Sequence, residues 1–540
     1  MRGLLASSIG VTCAAALALP LTSPAAAARP ASPASASTAF AGTASAGTAA
    51  GAEARGAADA RGAADARGAA DARGVADALR GGRDLNAARA LGAGLAQDAA
   101  QAPGSTQSLP LTPLASSDRT LAPAAAEQGL PRRDVRHFSL VGVVWNDPDT
   151  VLHGSVQVRT RAVGADTWSG WQDLETHNDD AADPGTAERT SGRVHGATAP
   201  LWVGDSDGVE VRVRAEADRR TEDTARGSRT ATASAPLPTG LRLELVDPGS
   251  SAPAPGTREA APAAPRAVVP HDTAPTVEPG AGPDAEPAAY QATLDADAAN
   301  AGLAAPGATE IPELSRARTE RELFSLRAGE LTTQQRAKPY IGPRPRIVTR
   351  RGWGADEKLR ERSFVYTKKV KAAFVHHTAS GNGYSCAQAP SLIRGIYRYH
   401  VKSMGWRDIG YNFLVDKCGN IYEGRAGGVA KAVLGAHTLG FNTNSMGIAV
   451  LGSYGTTKPP AAAVKAVARL TAWKLGLYGA NPKGKTYLKS GGGNLYPKGK
   501  KVRLNVISGH RDGFATECPG RKLYGKLGST RTTAARYQGR

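Results

Sequence analysis

The residues with the clearest capacity for chemistry lie near the C-terminus, in residues 509–520, GHRDGFATECPG. His510 and Cys518 sit there in a polar loop, outside any apolar run that would mark them as core. Imidazole and thiolate are both good zinc ligands, and a catalytic zinc site needs three protein ligands and one open position. The third candidate lies far upstream, in FVHHTAS at residues 374–380, where His376 ends an apolar run that reads as a buried strand. His377 follows it and so faces the opposite side of that strand, which makes it structural. His400 ends a helical pattern and reads as packed or capping.

The elements that must hold such a site are strands and helices in alternation, so the class of residues 341–540 is α/β. KAAFVHH is a buried strand. PSLIRGIYRYHV has apolar residues at helical spacing: Leu392, Ile393 and Ile396. GYNFLVD and NIYEGR are strands joined by a KCG turn, NSMGIAVLG is a central strand, and AAAVKAVARLTAWKLGLYG is a long helix. A basic, glycine-rich insert at 481–503 precedes the strand RLNVISGH, which leads into the metal loop. The expected architecture is a mixed sheet flanked by helices, with the metal ligands at strand ends.

The chain has 540 residues, with 63 Gly, 35 Pro and only 5% aromatics. That composition favours two compact domains separated by unfolded chain. The formal charge of +19 suits an anionic partner, whether nucleic acid, an acidic membrane surface or an acidic polymer. Residues 1–28 decide among these. They carry one early arginine, an apolar stretch and a small-residue run, which is the form of a secretory signal cut after Ala28. Their apolar part is too short to span a bilayer, and no other segment reaches about 18 apolar residues. The expected protein is secreted, extracellular or wall-associated, a monomer with no membrane span. Its partner is a surface polymer and not nucleic acid.

Residues 29–130 read as a low-complexity disordered spacer, with RGAADA units repeating from 55 to 78. A six-residue unit does not match the helical turn, so no constant apolar face results. Residues 131–250 change character. HFSLVGVVW, GSVQVRTRAV and VEVRVRAEA are short alternating runs between turn signals, as in a β-sandwich-like domain. Trp168 and Trp171 read as closing its core, with a sugar-stacking surface as the alternative. Residues 251–340 return to Ala and Pro as an extended linker, with a short helix at 320–327 capped by Thr319.

The chain has 4 cysteines. Cys13 leaves with the signal and Cys518 is claimed by the metal. Cys386 and Cys418 remain, and outside the cell they would pair. The alternative is one disulfide of undetermined pairing among three mature cysteines, with one thiol left over. A last feature is charge. No Asp or Glu occurs between Glu423 and Asp512, while Lys483, Lys485, Lys489, Lys498, Lys500, Lys501 and Arg503 cluster there. The cluster reads either as a solvated loop or as an attraction for anionic wall polymers.

Several stretches together resemble one family. RRGWGADE, FVHHTAS, GWRDIGYNFLVD, IYEGR, GAHTLGFNTNSMGIAVLG and SGHRDGFATECPG, in that order, are similar to the peptidoglycan recognition proteins and type 2 N-acetylmuramoyl-L-alanine amidases. The likeness includes the secreted actinobacterial arrangement with a β-rich domain ahead of the amidase. The resemblance implies zinc held by His376, His510 and Cys518. It places Tyr411 at the oxyanion of an attacked amide, with Thr516 as a second polar group there. It also assigns His437 and Asn442 to holding the muramyl peptide. Recognition members without catalysis lack the cysteine, so its presence implies an enzyme.

The function expected is hydrolysis of the amide between the lactyl group of muramic acid and L-alanine in bacterial peptidoglycan. A non-catalytic peptidoglycan-binding protein is the alternative, and the intact ligand set counts against it. A third reading, a metalloenzyme for anhydromuropeptides, is disfavoured by secretion, since such fragments are recycled inside cells.

Overall fold

In a computed structural model of the chain, residues 104–114, 126–176, 180–222, 229–249 and 285–540 are described. The expected signal at 1–28, the repeats at 55–78 and the linker portion 251–284 lie outside the described residues. All described residues belong to one compact unit, 84–540.

The first domain is all β. Its strands are β1 (Ser105–Pro110), β2 (Thr112–Pro113), β3 (Glu127–Trp145), β4 (Gly154–Ala162), β5 (Gln172–Leu174), β6 (Gly196–Ala197) and β7 (Leu201–Ala215). A separate hairpin follows, formed by β8 (Ala217–Glu222) and β9 (Arg229–Ser234), and then β10 (Arg242–Asp247). β1, β10, β3, β7, β4 and β5 pair in that order, and β2 and β6 join β3. Alternation decides which face is buried. In β7, Val209, Val211 and Val213 are buried against Phe138, Val141 and Leu243, while Glu210 and Arg212 point away. Register shifts interrupt the β3–β7 ladder, as bulges do where a long strand bends. Trp168 and Trp171 are outside this core. Each is half-buried under arginine: Arg132 lies 5.2 Å from the Trp168 ring and Arg212 lies 4.0 Å from that of Trp171.

Two expected boundaries move. The spacer read through residue 130 contains β1, which pairs with β10 from Ser105↔Asp247 to Pro110↔Arg242. The linker read through residue 340 is folded from 285 onward. It holds α1 (Ala285–Ala299), β11 (Glu310–Ile311), α2 (Arg316–Arg327) and α3 (Thr333–Ala337). The expected short helix is α2. Its cap is Ser315, not Thr319, which is buried inside the helix and accepts from Arg344 N. Ile311, Leu323 and Leu331 enter the core of the second domain, and the Asn300 amide donates to both oxygens of the buried Glu423 carboxylate.

The second domain is the expected mixed sheet with helices. After β12 (Ile347–Val348) come β13 (Ala372–His377), α4 (Ala389–Arg398), β14 (Phe413–Val415), β15 (Ile421–Glu423) and β16 (Ser445–Val450). They are followed by α5 (Ala461–Gly476), the hairpin β17 (Lys485–Lys489) and β18 (Lys501–Asn505), β19 (Ile507–Gly509), α6 (Arg521–Tyr524) and α7 (Leu527–Gln538). The sheet order is β11-β12-β15-β14-β16-β13-β19. β13 is buried along its whole length between parallel neighbours β16 and β19, which is why it reads as an unbroken apolar run.

Two cores flank the sheet. Ala373, Val375, Phe413 and Ile448 pack on one side with Leu470 and Trp473 of α5. Leu414 and Ala449 pack on the other with Leu392, Ile393 and Ile396 of α4. That second core also contains Leu140, Val144, Trp202 and Val246 of the first domain. Cys386 and Cys418 are joined by a disulfide, with Cα atoms 6.2 Å apart. It ties the turn before α4 to the turn between β14 and β15.

Candidate metal centre

β13, β16 and β19 run parallel, so their C-terminal ends share one edge of the sheet. Ligands in open α/β sheets bind outside such ends. His376 is near the end of β13, and His510 follows β19 directly. His510 opens a short helical turn, His510–Asp512, in which Asp512 accepts from Gly509 N at 2.9 Å and from Tyr524 Oη at 2.6 Å. The loop then returns, with Arg511 N donating to Cys518 O at 3.1 Å. This closure carries Cys518 back to the histidines.

His376, His510 and Cys518 are all buried, and one ligand atom from each lies within 4.8 Å of the others. His376 Nδ1 is 3.7 Å from Cys518 Sγ. On its far side, His376 Nε2 is 3.4 Å from Thr438 Oγ1, which is itself 3.0 Å from His437 Nδ1. A ligating imidazole held at its second nitrogen is the usual arrangement at a metal. Burial pushes the pKa of His376 and of His510 down to about 3. Both rings are therefore neutral, as ligands must be. Neither nitrogen of His510 has a hydrogen-bond partner among the described residues. Buried imidazole nitrogens without a partner beside a thiol could hold a metal ion, and the donor set suits zinc.

Tyr411, just before β14, lies against this cluster, its ring 5.6 Å from that of His376. Its hydroxyl donates to Asp180 Oδ2 at 2.5 Å. Burial, reinforced by the Asp180 carboxylate, raises the phenol pKa well above 10, so it remains a donor. Thr516 is half-buried and does not line the central cavity. Its hydroxyl accepts from Cys518 N at 3.2 Å. His437 is wholly buried behind His376, with ring centroids 5.2 Å apart. Asn442 Oδ1 accepts from His437 N and Thr438 N at 2.7 and 3.1 Å. His377, expected to be structural, accepts from Tyr454 N at 3.1 Å through Nδ1. His400 packs on Trp406 and accepts from Gly410 N.

Sequence reasoning missed the residues that come from the first domain. Asp180 Oδ1 lies 3.0 Å from His376 Nδ1 and 3.3 Å from His510 Nδ1. Its burial pushes its pKa up to about 6. Asp183 Oδ1 accepts from Gly440 N and from Asn442 Nδ2, at 2.8 and 2.7 Å. Glu175 lies 3.5 Å from His377 Nε2. The only signal was a run of acidic residues, HNDDAAD, in a turn of a domain that showed no chemistry of its own. The space left at the centre is a cavity of about 20 Å³, enough for a water and little more.

Two family models match the chain: "N-acetylmuramoyl-L-alanine amidase" over residues 366–521 and "Rv3811 N-terminal galactose-binding domain-like" over residues 95–236. Peptidoglycan-recognition protein SC2 of Drosophila simulans is 30% identical over 181 residues, which is 34% of this chain and 84% of that relative. Peptidoglycan-recognition protein SC1a of Drosophila melanogaster is 34% identical over 155 residues, covering 29% of this chain and 70% of that one. Among solved structures, peptidoglycan recognition protein-LE in complex with tracheal cytotoxin is 31% identical. It covers 34% of this chain and 92% of its own, with a TM-score of 0.27.

Proposed function

Since the chain belongs to the peptidoglycan recognition protein and type 2 amidase family, we propose that it is a secreted zinc-dependent N-acetylmuramoyl-L-alanine amidase. The bond cut joins the lactyl group of muramic acid to L-alanine in bacterial peptidoglycan. One observation carries this reading: His376, His510 and Cys518, separated by as many as 142 residues in sequence, meet in one buried cluster.

Zinc, when bound by these three residues, supplies Lewis-acid polarisation of an amide carbonyl and acidifies water. The chain's own residues do the rest. Thr438 and His437 fix the His376 ring so that Nδ1 faces the cluster. Tyr411, kept protonated, donates a hydrogen bond to the oxygen that becomes negative as the carbonyl is attacked. Asn442 braces the 437–438 turn through its Oδ1, and its amide, which here donates to Ala181 O and Asp183 Oδ1, is the group that would hold a peptide. Burial of the cluster excludes bulk water, which strengthens each of these interactions.

The relatives are named for recognition, so a peptidoglycan-binding protein without turnover is the second reading. The two separate on one experiment. Purified peptidoglycan is digested with wild-type protein and with Cys518→Ser, and the products are read by mass spectrometry alongside metal analysis. The amidase reading expects about one zinc per chain, free stem peptides beginning with L-alanine, and loss of both in Cys518→Ser. Zinc and full activity retained in Cys518→Ser would overturn the ligand set. Binding without released peptides in the wild type would favour recognition.

A further inference from the structure

We propose that residues 180–188 of the first domain are an internal cover that closes the metal site. In this cover the Asp180 carboxylate stands where a fourth ligand or the attacked carbonyl would stand. The inference rests on the amidase reading only for the identity of the ligand that the cover displaces.

Three acidic side chains hold the cover, and each meets a different part of the second domain. Asp180 places Oδ1 between the imidazoles of His376 and His510, at 3.0 and 3.3 Å, and gives Oδ2 to the Tyr411 hydroxyl. That Oδ1 has no hydrogen-bond partner among the described residues although it is buried. A buried carboxylate oxygen set between two imidazole nitrogens and without a hydrogen-bond partner is placed to face a cation held by them. Asp183 caps Gly440 N and Asn442 Nδ2, and the same Nδ2 also donates to Ala181 O at 2.8 Å. Glu188 forms a bidentate, fully buried pair with Arg425, at 2.8 and 2.9 Å, and accepts from Arg407 N. Planar two-point pairing of this kind fixes register as well as position.

The chemistry of the cover matches that of a ligand. Residues 180–183 read Asp-Ala-Ala-Asp, a short acidic peptide with methyl side chains. Its backbone carbonyl and one carboxylate are read by Asn442, and its leading carboxylate faces the metal ligands. An acidic, alanine-containing peptide is the class of molecule the proposed reaction would bring there. With the cover in place the cavity is about 20 Å³, whereas a ligand pocket for even a small molecule needs several hundred. Substrate and cover therefore compete for one space. The chain as folded is a latent form, and its apparent affinity for substrate is reduced by the fraction of molecules with the cover withdrawn.

The test uses three full-length proteins: wild type, Asp180→Ala, and the double variant Asp183→Ala/Glu188→Gln. Each is loaded with cobalt(II) for its visible absorption spectrum and titrated calorimetrically with a soluble muramyl tripeptide. Hydrolysis of that peptide is measured separately. The expected result is an altered cobalt spectrum in Asp180→Ala and at least about tenfold tighter peptide binding in both variants. The double variant leaves the metal cluster and Tyr411 intact, so it decides the closure by itself if Asp180→Ala does not fold. An unchanged cobalt spectrum in Asp180→Ala, or unchanged peptide affinity in both variants, overturns the proposal. Tighter binding with no hydrolysis by any of the three proteins keeps the cover and overturns the amidase reading. Hydrolysis by the wild type at the same rate as by both variants keeps the amidase and overturns the cover.

Discussion

Tyr411 is held protonated by burial and by the carboxylate beside it, so the useful property of its phenol is donation. Tyr411→Phe removes the donor and leaves the ring. Turnover of a muramyl peptide should fall on the order of a hundredfold or more, while zinc content by metal analysis stays at the wild-type level. Full turnover in that variant would remove Tyr411 from the reaction. Thr438 stands behind the His376 ring, away from the central cavity, and its hydroxyl lies between His376 Nε2 and His437 Nδ1. Thr438→Val keeps the shape and loses the bridge. Zinc affinity, measured by chelator competition, should weaken about 10- to 100-fold; equal affinities would mean that the ring is oriented by packing alone. The ligands themselves were legible because His510 and Cys518 share one short polar loop and His376 ends an apolar strand. Thr438 was not, because nothing in GAHTLGFN shows that its one hydroxyl reaches the back of another residue's ring. That depends on how the loop after residue 436 folds behind β13, which only the tertiary structure fixes.

The basic insert shows what an element adds to a charge count. Read as sequence, residues 481–503 are lysines and glycines. Paired as β17 and β18, they alternate: Leu488, Val502 and Leu504 turn inward against Phe374 and Phe441, while Lys485, Lys489, Lys501 and Arg503 are exposed. Tyr487 stands opposite Arg503 on the outer face and is 59% exposed. A period of two in so short a run becomes readable only once the partner strand is known. Among the described residues, none of these cations is in an ion pair, so the outer face is available to an anionic polymer. Replacing Lys485, Lys489 and Lys501 by glutamine should weaken pull-down on intact walls carrying such polymer. The effect should shrink at high salt, since exposed charges are screened beyond about 8–10 Å. The relative rate on a small neutral muramyl peptide should not change. Equal loss on that peptide would mean the hairpin shapes the cleft instead. The folded state of residues 285–319 is hidden in the sequence for a related reason. The alanine-rich α1 has the composition of the linker before it, and its anchor, Asn300 on Glu423, joins residues 123 apart.

At the scale of the molecule the two domains are one body, and this was the part least visible in the sequence. Leu140, Val144, Trp202 and Val246 each stand next to a residue of the first domain's inner core (Val141, Val143, Leu201 and Leu245), so they break the alternation and make their strands apolar on both faces; the pattern marks a second buried face but not that α4 covers it. The contact is close. Tyr399, just after α4, is wholly buried and donates to Thr198 O at 3.1 Å. Its ring lies directly over Gly142 of β3, where a Cβ would come within 2.3 Å of the hydroxyl oxygen and 2.5 Å of the ring carbon that carries it. Glycine is required there because only a bare backbone lets the ring approach. Gly142→Ala must therefore push the domains apart or displace a fully packed tyrosine, at a cost of about 1–3 kcal/mol for overpacking. In the wild type, urea unfolding followed by tryptophan fluorescence and by far-ultraviolet circular dichroism should give coincident transitions, as one shared core demands. In Gly142→Ala the two probes should separate into two transitions, because each domain keeps its own inner core. Muramyl tripeptide should also bind more tightly to Gly142→Ala than to the wild type, since the cover at 180–188 rides on the domain that has been displaced. A single transition at the wild-type midpoint, with unchanged peptide affinity, would show that the interface absorbs the methyl group. The closed arrangement would then not depend on the fit between Gly142 and Tyr399.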